Sequence, residues 1–348
     1  VRGDRPTPAD GAPPAASGPR AKPTLRTISE IAGLAVPTVS RALNDAPDIG
    51  AETKARVRRI AAEIGYVPNR AGVRLRTGRT NVISLVLSTE HDQMNHTARL
   101  ISSIAAELTG TPYHMIMTPF APDEDRMRPI RYIVETGSAD AMIFNQIEPE
   151  DPRVAFLMER GFPFATHGRS VWADRHPWAD FDNEAFGRVG VEALVSRRRH
   201  NLVLIAPPAT QTYAQAMIGG ARARAAGVGA TLRVADGVTS DSPNADVRGW
   251  TAAAVAADPS IDGLIIGSTN ATLAAVAGME AEGFDVGTDI DIVAKEAMAF
   301  LKFFRDRILV VDEDVRTTGA FLARAAIRAV REPKEPPMQH LEVPDHWR

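Results

Sequence analysis

At 348 residues, with 44% hydrophobic residues and a formal charge of −3, the chain has room for a small domain and a large one, each with a real core. It has no cysteine, which excludes disulfides and thiolate metal sites. No apolar stretch near its start reads as an export signal and no run of about 18 apolar residues could span a membrane, so a cytoplasmic protein is expected.

Residues 1–23 are Pro, Ala, Gly and charge without periodicity, and are expected to be a disordered tail. Residues 24–44, TLRTISEIAGLAVPTVSRALN, hold two short helical patterns joined at Gly33. The first sets Ile28, Ile31 and Ala32 on one face, the second Val36, Val39 and Leu43. A glycine that accepts the left-handed conformation permits the sharp turn of a helix-turn-helix unit, whose second helix meets base edges in the major groove. A third helix is expected at 51–64, with Val57, Ile60, Ala61 and Ile64 on its inner face and Gly65 ending it. Residues 69–80, NRAGVRLRTGRT, then read as a basic linker. Across residues 22–80 there are 11 Lys or Arg against 5 Asp or Glu, so a basic module precedes an acidic body, as suits attraction to phosphates.

Beyond Thr80, apolar strands alternate with helices. Strands are expected at 82–87, 113–117, 141–144, 164–167, 201–205, 231–234, 263–266, 290–293 and 308–311, with a final one at 340–343. Helices at 186–196, 245–257, 271–282 and 318–331 lie between them. This alternation implies parallel sheets with helices on both faces, and so many strands divide better between two domains than in one sheet. Polar residues cluster at the predicted strand ends: His91 and Asp92; Asn145 and Gln146; His167 and Arg169; Asp182 and Asn183; Tyr213; Lys295 and Glu296. Ligands of such folds bind at those carboxyl ends. Trp172 and Trp178 are candidates either for packing or for stacking on a ligand.

Over residues 24–80 the chain resembles the LacI/GalR family of bacterial transcription regulators. The resemblance rests on the A-G turn, T-V-S-R at 38–41, L-N at 43–44, E-T-x-x-x-V at 52–57, G-Y-x-P-N at 65–69 and L-R-T-G-R-T at 75–80. It implies that Val36, Pro37 and Arg41 read bases, Arg41 as a bidentate partner of guanine. Thr24 with Leu25 beside it, Ser40, Asn44, Gly50, Thr53 and Asn69 would lie against the phosphate backbone. Leu75 would belong to a hinge helix, formed on the operator, that wedges into the minor groove. The chain departs from the family pattern where Ala35 replaces the capping serine, Thr27 an aspartate, and Gly72 the hinge alanine, the last weakening a short helix by roughly 1 kcal/mol.

The resemblance also implies the family's sugar-binding core, a periplasmic-binding-protein-like α/β domain of two lobes, at 81–348. Lobe one is expected at about 81–178 and 304–331, lobe two at about 179–303 and 335–346, with the DNA-binding domain at 24–68 and the hinge at 69–80. The three crossings are placed near 172–180, 301–305 and 331–338. Effector contacts are expected from His91, Asn145, His167, Arg169, Asp182, Tyr213, Lys295 and Glu296. The lobe departs from the family in Ala216, in Ser268-Thr269-Asn270 and in Lys295-Glu296-Ala297. THGRS, HPWADFDNEAF and VAKEA are similar to a branch that controls uptake of sugars such as α-glucosides.

No enzyme is expected, since the chain lacks G-x-S-x-G, H-E-x-x-H, a P-loop and a dinucleotide fingerprint. Neither a cofactor nor a metal is expected; the spacing of His91, Asp92 and His96 matches no standard metal site. The expectation is a homodimeric repressor of carbohydrate genes that a sugar releases from a palindromic operator. The alternative is a regulator using a nucleoside or phosphosugar as corepressor. With no leucine heptads after the final strand, no tetramer built by an added C-terminal helix is expected.

Overall fold

The computed structural model describes residues 22–67, 72, 74, 78–89, 94–297, 299–344, 346 and 347. The tail at 1–21, Asn69 and Leu75 of the hinge, and His91 with Asp92 lie outside the described residues. The chain divides into two compact units, one ending at Gly78 and one beginning at Arg79.

The first unit is helical: α1 (Leu25–Ala32), α2 (Val36–Leu43) and α3 (Ala51–Glu63). Thr24 caps α1, its hydroxyl accepting from the Thr27 N–H at 3.3 Å while the Thr27 hydroxyl accepts from the Thr24 N–H at 3.1 Å. The threonine that replaces the family's aspartate thus closes a reciprocal capping box. Gly33 ends α1 at φ +66°, the left-handed conformation the turn requires. Ala35 supplies no side-chain cap to α2, but Pro37 in the first turn lacks the N–H that would need one. Ile28, Ala32, Val39, Ala42, Val57, Ile60 and Ala61 form the core, with Leu25 and Leu43 packed on it. Ile31 is 52% exposed and Val36 37% exposed, so neither shares the inner face expected of it. The spacing from Ile28 to Ile31 rotates the latter away, and Leu25, Ile28 and Ala32 make the actual stripe.

The second unit holds two wholly parallel sheets. In the first lobe the strands are β1 (Val82–Ser88), β2 (His114–Phe120), β3 (Ala141–Phe144), β4 (Phe164–His167), β5 (Trp178–Phe181) and β11 (Gln339–Glu342), in the order β11-β5-β4-β3-β1-β2. In the second they are β6 (Asn201–Ile205), β7 (Thr231–Val234), β8 (Gly263–Ile266), β9 (Asp291–Glu296) and β10 (Leu309–Asp312), in the order β10-β9-β8-β6-β7. Central strands such as β1, β3 and β8 are buried on both faces, which is why they read as unbroken apolar runs. The helices α4 (Met94–Leu108), α5 (Met127–Thr136), α6 (Pro152–Glu159) and α12 (Val315–Arg331) belong with the first sheet, and α7 (Asn183–Ser196), α8 (Thr212–Val228), α9 (Asn244–Ala257), α10 (Thr269–Ala281) and the short α11 (Leu301–Phe304) with the second.

Three expectations are corrected. The segment 172–180, expected as a crossing, contains β5, an interior strand of the first sheet. The lobe boundaries also shift: β10 pairs with β9 and belongs to the second lobe, whereas β11 pairs with β5 and belongs to the first. The crossings accordingly fall at Asp182, at Glu313–Asp314, and after β11, where Trp347 packs on the second lobe's core. They are tied to one another, Asp182 N donating to Glu342 O at 2.7 Å and Asp314 N to the Glu342 carboxylate at 2.9 Å. The segments 301–305 and 331–338 are instead α11 with its end and the link from α12 to β11.

Helices α7 and α8 approach so closely that a Cβ on Gly220 would lie 2.1 Å from Glu184 O, whereas one on the neighbouring Gly219 would meet nothing within 4 Å. Gly219→Ala should stabilise the protein by about 0.5–1 kcal/mol through helix propensity alone. Gly220→Ala should destabilise it by about 1–3 kcal/mol through overpacking against rigid backbone. Denaturant melts check the pair, and a Gly220 variant as stable as the parent would show that the helices part freely.

Candidate functional site

In the helical unit, Val36, Pro37 and Arg41 are exposed along α2 and Ser40 is half-buried between them. Thr24 and Gly50 stand at the N-caps of α1 and α3, and Thr53 in the first turn of α3, where unpaired N–H groups can meet phosphate oxygens. Asn44 caps α2, its side-chain amide donating to Ser40 O at 2.6 Å. Leu25 is half-buried against the core. Arg41 is ion-paired with Asp48, and Asp45 with Lys54 and Arg58 at 3.0 and 2.9 Å. Asn69 and Leu75 lie outside the described residues.

In the larger unit the strand orders fix where a ligand can sit. The first sheet reverses direction between β1 and β3, and the second between β6 and β8, so a crevice opens at the carboxyl ends of each pair. The cleft between the lobes is lined from both: Asn145 and Gln146 follow β3, Pro207 follows β6, and Gly267 to Asn270 follow β8. His96 on α4, His167 on β4, Asp180 on β5, Asn183 and Tyr213 at the starts of α7 and α8, Asp241, Lys295 on β9, Ala297 and Glu313 complete it. The space between these side chains is about 850 Å³ including its open mouth.

Glu313 organises the polar floor. Its Oε1 lies 3.3 Å from His96 Nε2 and 3.6 Å from His167 Nε2, and its Oε2 lies 3.1 Å from Lys295 Nζ. Burial alone would raise the Glu313 carboxyl, but the Lys295 charge and the two imidazoles hold it well below the usual carboxylate value. Burial pushes His96 below the ordinary imidazole value, against the pull of Glu313. Burial also raises Asp180, although Arg169 pairs with it at 2.8 Å. His96, His167 and Glu313 bring ligating atoms within 4.8 Å of one another, yet the Lys295 ammonium already supplies the positive charge that a dication would bring.

Of the residues expected to contact an effector, Asn145, His167, Tyr213 and Lys295 line this cleft. Three others have different work. Arg169 is engaged with Asp180 and lies over the Trp178 ring, Asp182 caps α7 by accepting from Ala185 N at 3.0 Å, and buried Glu296 accepts from the N–H groups of Phe300 and Leu301 at 2.6 and 2.7 Å. His91 lies outside the described residues. Trp172 packs against the first lobe's core and Trp178 donates to Ala173 O, so both tryptophans are structural, and the aromatic rings in the described lining are Tyr213 and the stacked imidazoles of His96 and His167. Asp180, Asp241 and Glu313 were not anticipated. Glu313 follows a strand, so the strand-end rule could have found it, whereas Asp180 lies inside one.

Residues 24–69 match the family model for bacterial regulatory proteins of the lacI family. The chain is 30% identical over 327 residues to the HTH-type transcriptional regulator AglR of Rhizobium meliloti (strain 1021), covering 91% of this chain and 90% of that one. It is 25% identical over 334 residues to the HTH-type transcriptional regulator CelR of Thermobifida fusca, covering 93% and 97% of the two. Among solved structures, a complex of the regulator CelR with cellobiose superposes with a TM-score of 0.67 at 21% identity, covering 94% of this chain and 98% of that one. The lac repressor dimer bound to operator and an anti-inducer does so with a TM-score of 0.77 at 17% identity, covering 93% and 97%.

The depressed Glu313 value means that its stabilisation is present above pH about 4.5 and is lost as pH falls through the folded-state value. His96, also depressed, adds stability present above pH about 6.5 and lost as the unfolded chain takes up a proton below it. Glu313→Gln should leave the half-buried Lys295 without its carboxylate partner, destabilising the protein at pH 7 by roughly 1–3 kcal/mol, and should flatten the acid limb of the melting profile. Unchanged melting at pH 7 would remove Glu313 from the centre of the cleft.

Proposed function

The chain belongs to the LacI family of bacterial regulatory proteins and is a DNA-binding transcriptional regulator, and we propose that it represses carbohydrate-utilisation genes until a neutral sugar fills the cleft. The observation that carries the sugar is the chemistry of the lining. Amides at Asn145, Gln146, Asn183 and Asn270, carboxylates at Asp180 and Asp241, and the Tyr213 ring suit hydroxyls and an apolar sugar face. Lys295 is the only lysine or arginine among the described lining residues, and it already faces Glu313. A phosphosugar would find two further carboxylates and no other fixed cation among the described lining residues, which speaks against that form of the corepressor alternative; a neutral nucleoside carries no such charge, and titration with adenosine separates it from a sugar.

The relative solved with cellobiose supports a disaccharide-sized effector, and the resemblance of THGRS, HPWADFDNEAF and VAKEA to a branch controlling α-glucoside uptake directs the choice of sugars to test. The protein acts in the cytoplasm as a homodimer, matching the two-fold symmetry of a palindromic operator. Residues 24–68 form the DNA-binding domain and 69–80 the hinge. Val36, Pro37 and Arg41 read bases; Thr24, Leu25, Ser40, Asn44, Gly50, Thr53 and Asn69 hold the backbone; and Leu75 enters the minor groove. Asn145, His167, Tyr213 and Lys295 contact the sugar. Its preference for one arrangement of the lobes need be only a few kcal/mol to empty the operator.

Fluorescence polarisation of a labelled operator duplex, titrated with maltose, trehalose and cellobiose and then with glucose 6-phosphate and adenosine, tests this reading. Release by a neutral sugar is the expected result; tighter binding with the phosphosugar or the nucleoside overturns it. In the same assay without sugar, Arg41→Ala should relax base preference at one position per half-site by about 1–3 kcal/mol. Unchanged selectivity would remove Arg41 from the reading set.

A further inference from the structure

Arg153 is the largest fully buried side chain among the described residues, 1% exposed beside a 0% exposed Asp151. A buried arginine must be compensated at every donor it turns inward. Its Nε and Nη2 donate to the two oxygens of Asp151 at 3.0 and 2.7 Å, and Nη2 also donates to the carbonyls of Asn145 and Gln146 at 3.0 and 2.8 Å. The guanidinium lies over the Phe144 ring at 4.7 Å. Asp151 in turn caps α6 and accepts from Glu148 N at 3.2 Å.

These bonds converge on the stretch from Asn145 to Asp151 that joins β3 to α6. Gln146 sits there at φ +56°, a conformation a non-glycine residue keeps only where its surroundings impose it. The next carbonyl, that of fully buried Ile147, accepts from Thr212 N at 2.8 Å. Thr212 opens α8 in the opposite lobe, immediately before Tyr213. One short loop therefore presents two amides to the cleft and bonds across it.

We propose that Arg153 is a positioning residue: its guanidinium, fixed by Asp151, sets the strained turn at Gln146 so that Asn145 and Gln146 meet the effector while Ile147 holds the start of α8. Arg153 touches no ligand itself. The inference rests on the cleft being the effector site as far as ligand binding is concerned, but its structural half does not.

Arg153→Lys keeps the charge and loses the planar fork that serves a carboxylate and two carbonyls together. In the full-length variant, hydrogen exchange at the Glu148 and Thr212 amides should accelerate about tenfold or more, and the affinity for the probe sugars maltose and cellobiose, measured by calorimetry, should weaken by a similar factor. A folded variant whose Thr212 amide exchanges as in the parent overturns the proposal. If the parent binds neither sugar while the variant's exchange accelerates, the positioning role holds and the sugar reading fails. Should the variant not fold, exchange in the parent decides: protected Glu148 and Thr212 amides support the proposal, and exchange of both at unprotected rates overturns it.

Discussion

Glu313 is a buried carboxylate at the point where the chain passes from the second sheet back to the first, and a charge in that position persists only if it is compensated. The compensation comes from both sides: His96 and His167 from the first lobe, Lys295 from the second. The arrangement ties the lobes to the crossing through charge as well as through chain, and it decides what the cleft can accept. With its lysine engaged, the floor offers hydrogen bonds rather than net positive charge. A ligand rich in hydroxyls can enter such a network by exchanging bonds, whereas an anion would have to separate Lys295 from Glu313.

Strand order explains why so many polar side chains reach one place. In each sheet the chain moves outward on one side of a central strand and then returns to its other side, leaving the carboxyl ends of neighbouring strands uncovered by crossover helices. The loops after β3, β6 and β8 open into that gap. Loops so placed need their own supports, because the sheet fixes only their roots. After β3 the support is the Arg153–Asp151 pair; after β8 it is Ser268, which caps α10 and donates to Ser240 O at 2.9 Å.

The helical unit was legible because its signals are local: a cap, a left-handed glycine and an apolar stripe within one or two turns. Most strands were legible too, being doubly buried and hence unbroken apolar runs. What failed was pairing. Nothing within 308–311 or 340–343 encodes which sheet receives the strand, and both were assigned to the wrong lobe. Strand β5 was hidden by Asp180, a buried charge that Arg169 makes tolerable from eleven residues away in sequence. Alternation along a strand explains the error at β9. Lys295 and Glu296 point to opposite faces, so only Lys295 can enter the cleft while Glu296 turns away to cap the start of α11. Position at a strand end marks both residues, and alternation separates them.

The acids of the DNA-binding unit make sense as a matter of magnitudes. Asp48 holds Arg41 in the free protein, which at first sight opposes reading by the same arginine. The pair is exposed, with side-chain accessibilities of 58% and 43%, and such pairs contribute about 0–1 kcal/mol. A bidentate contact to guanine discriminates by about 1–3 kcal/mol, so exchanging the carboxylate for the correct base is favourable. A lone phosphate contact on a random sequence offers a charge partner without the second, base-specific bond, and there the carboxylate competes on nearly equal terms. Asp48 therefore lowers specific affinity by no more than the cost of its own pair with Arg41, about 0–1 kcal/mol, and the discrimination comes from the guanine contact itself.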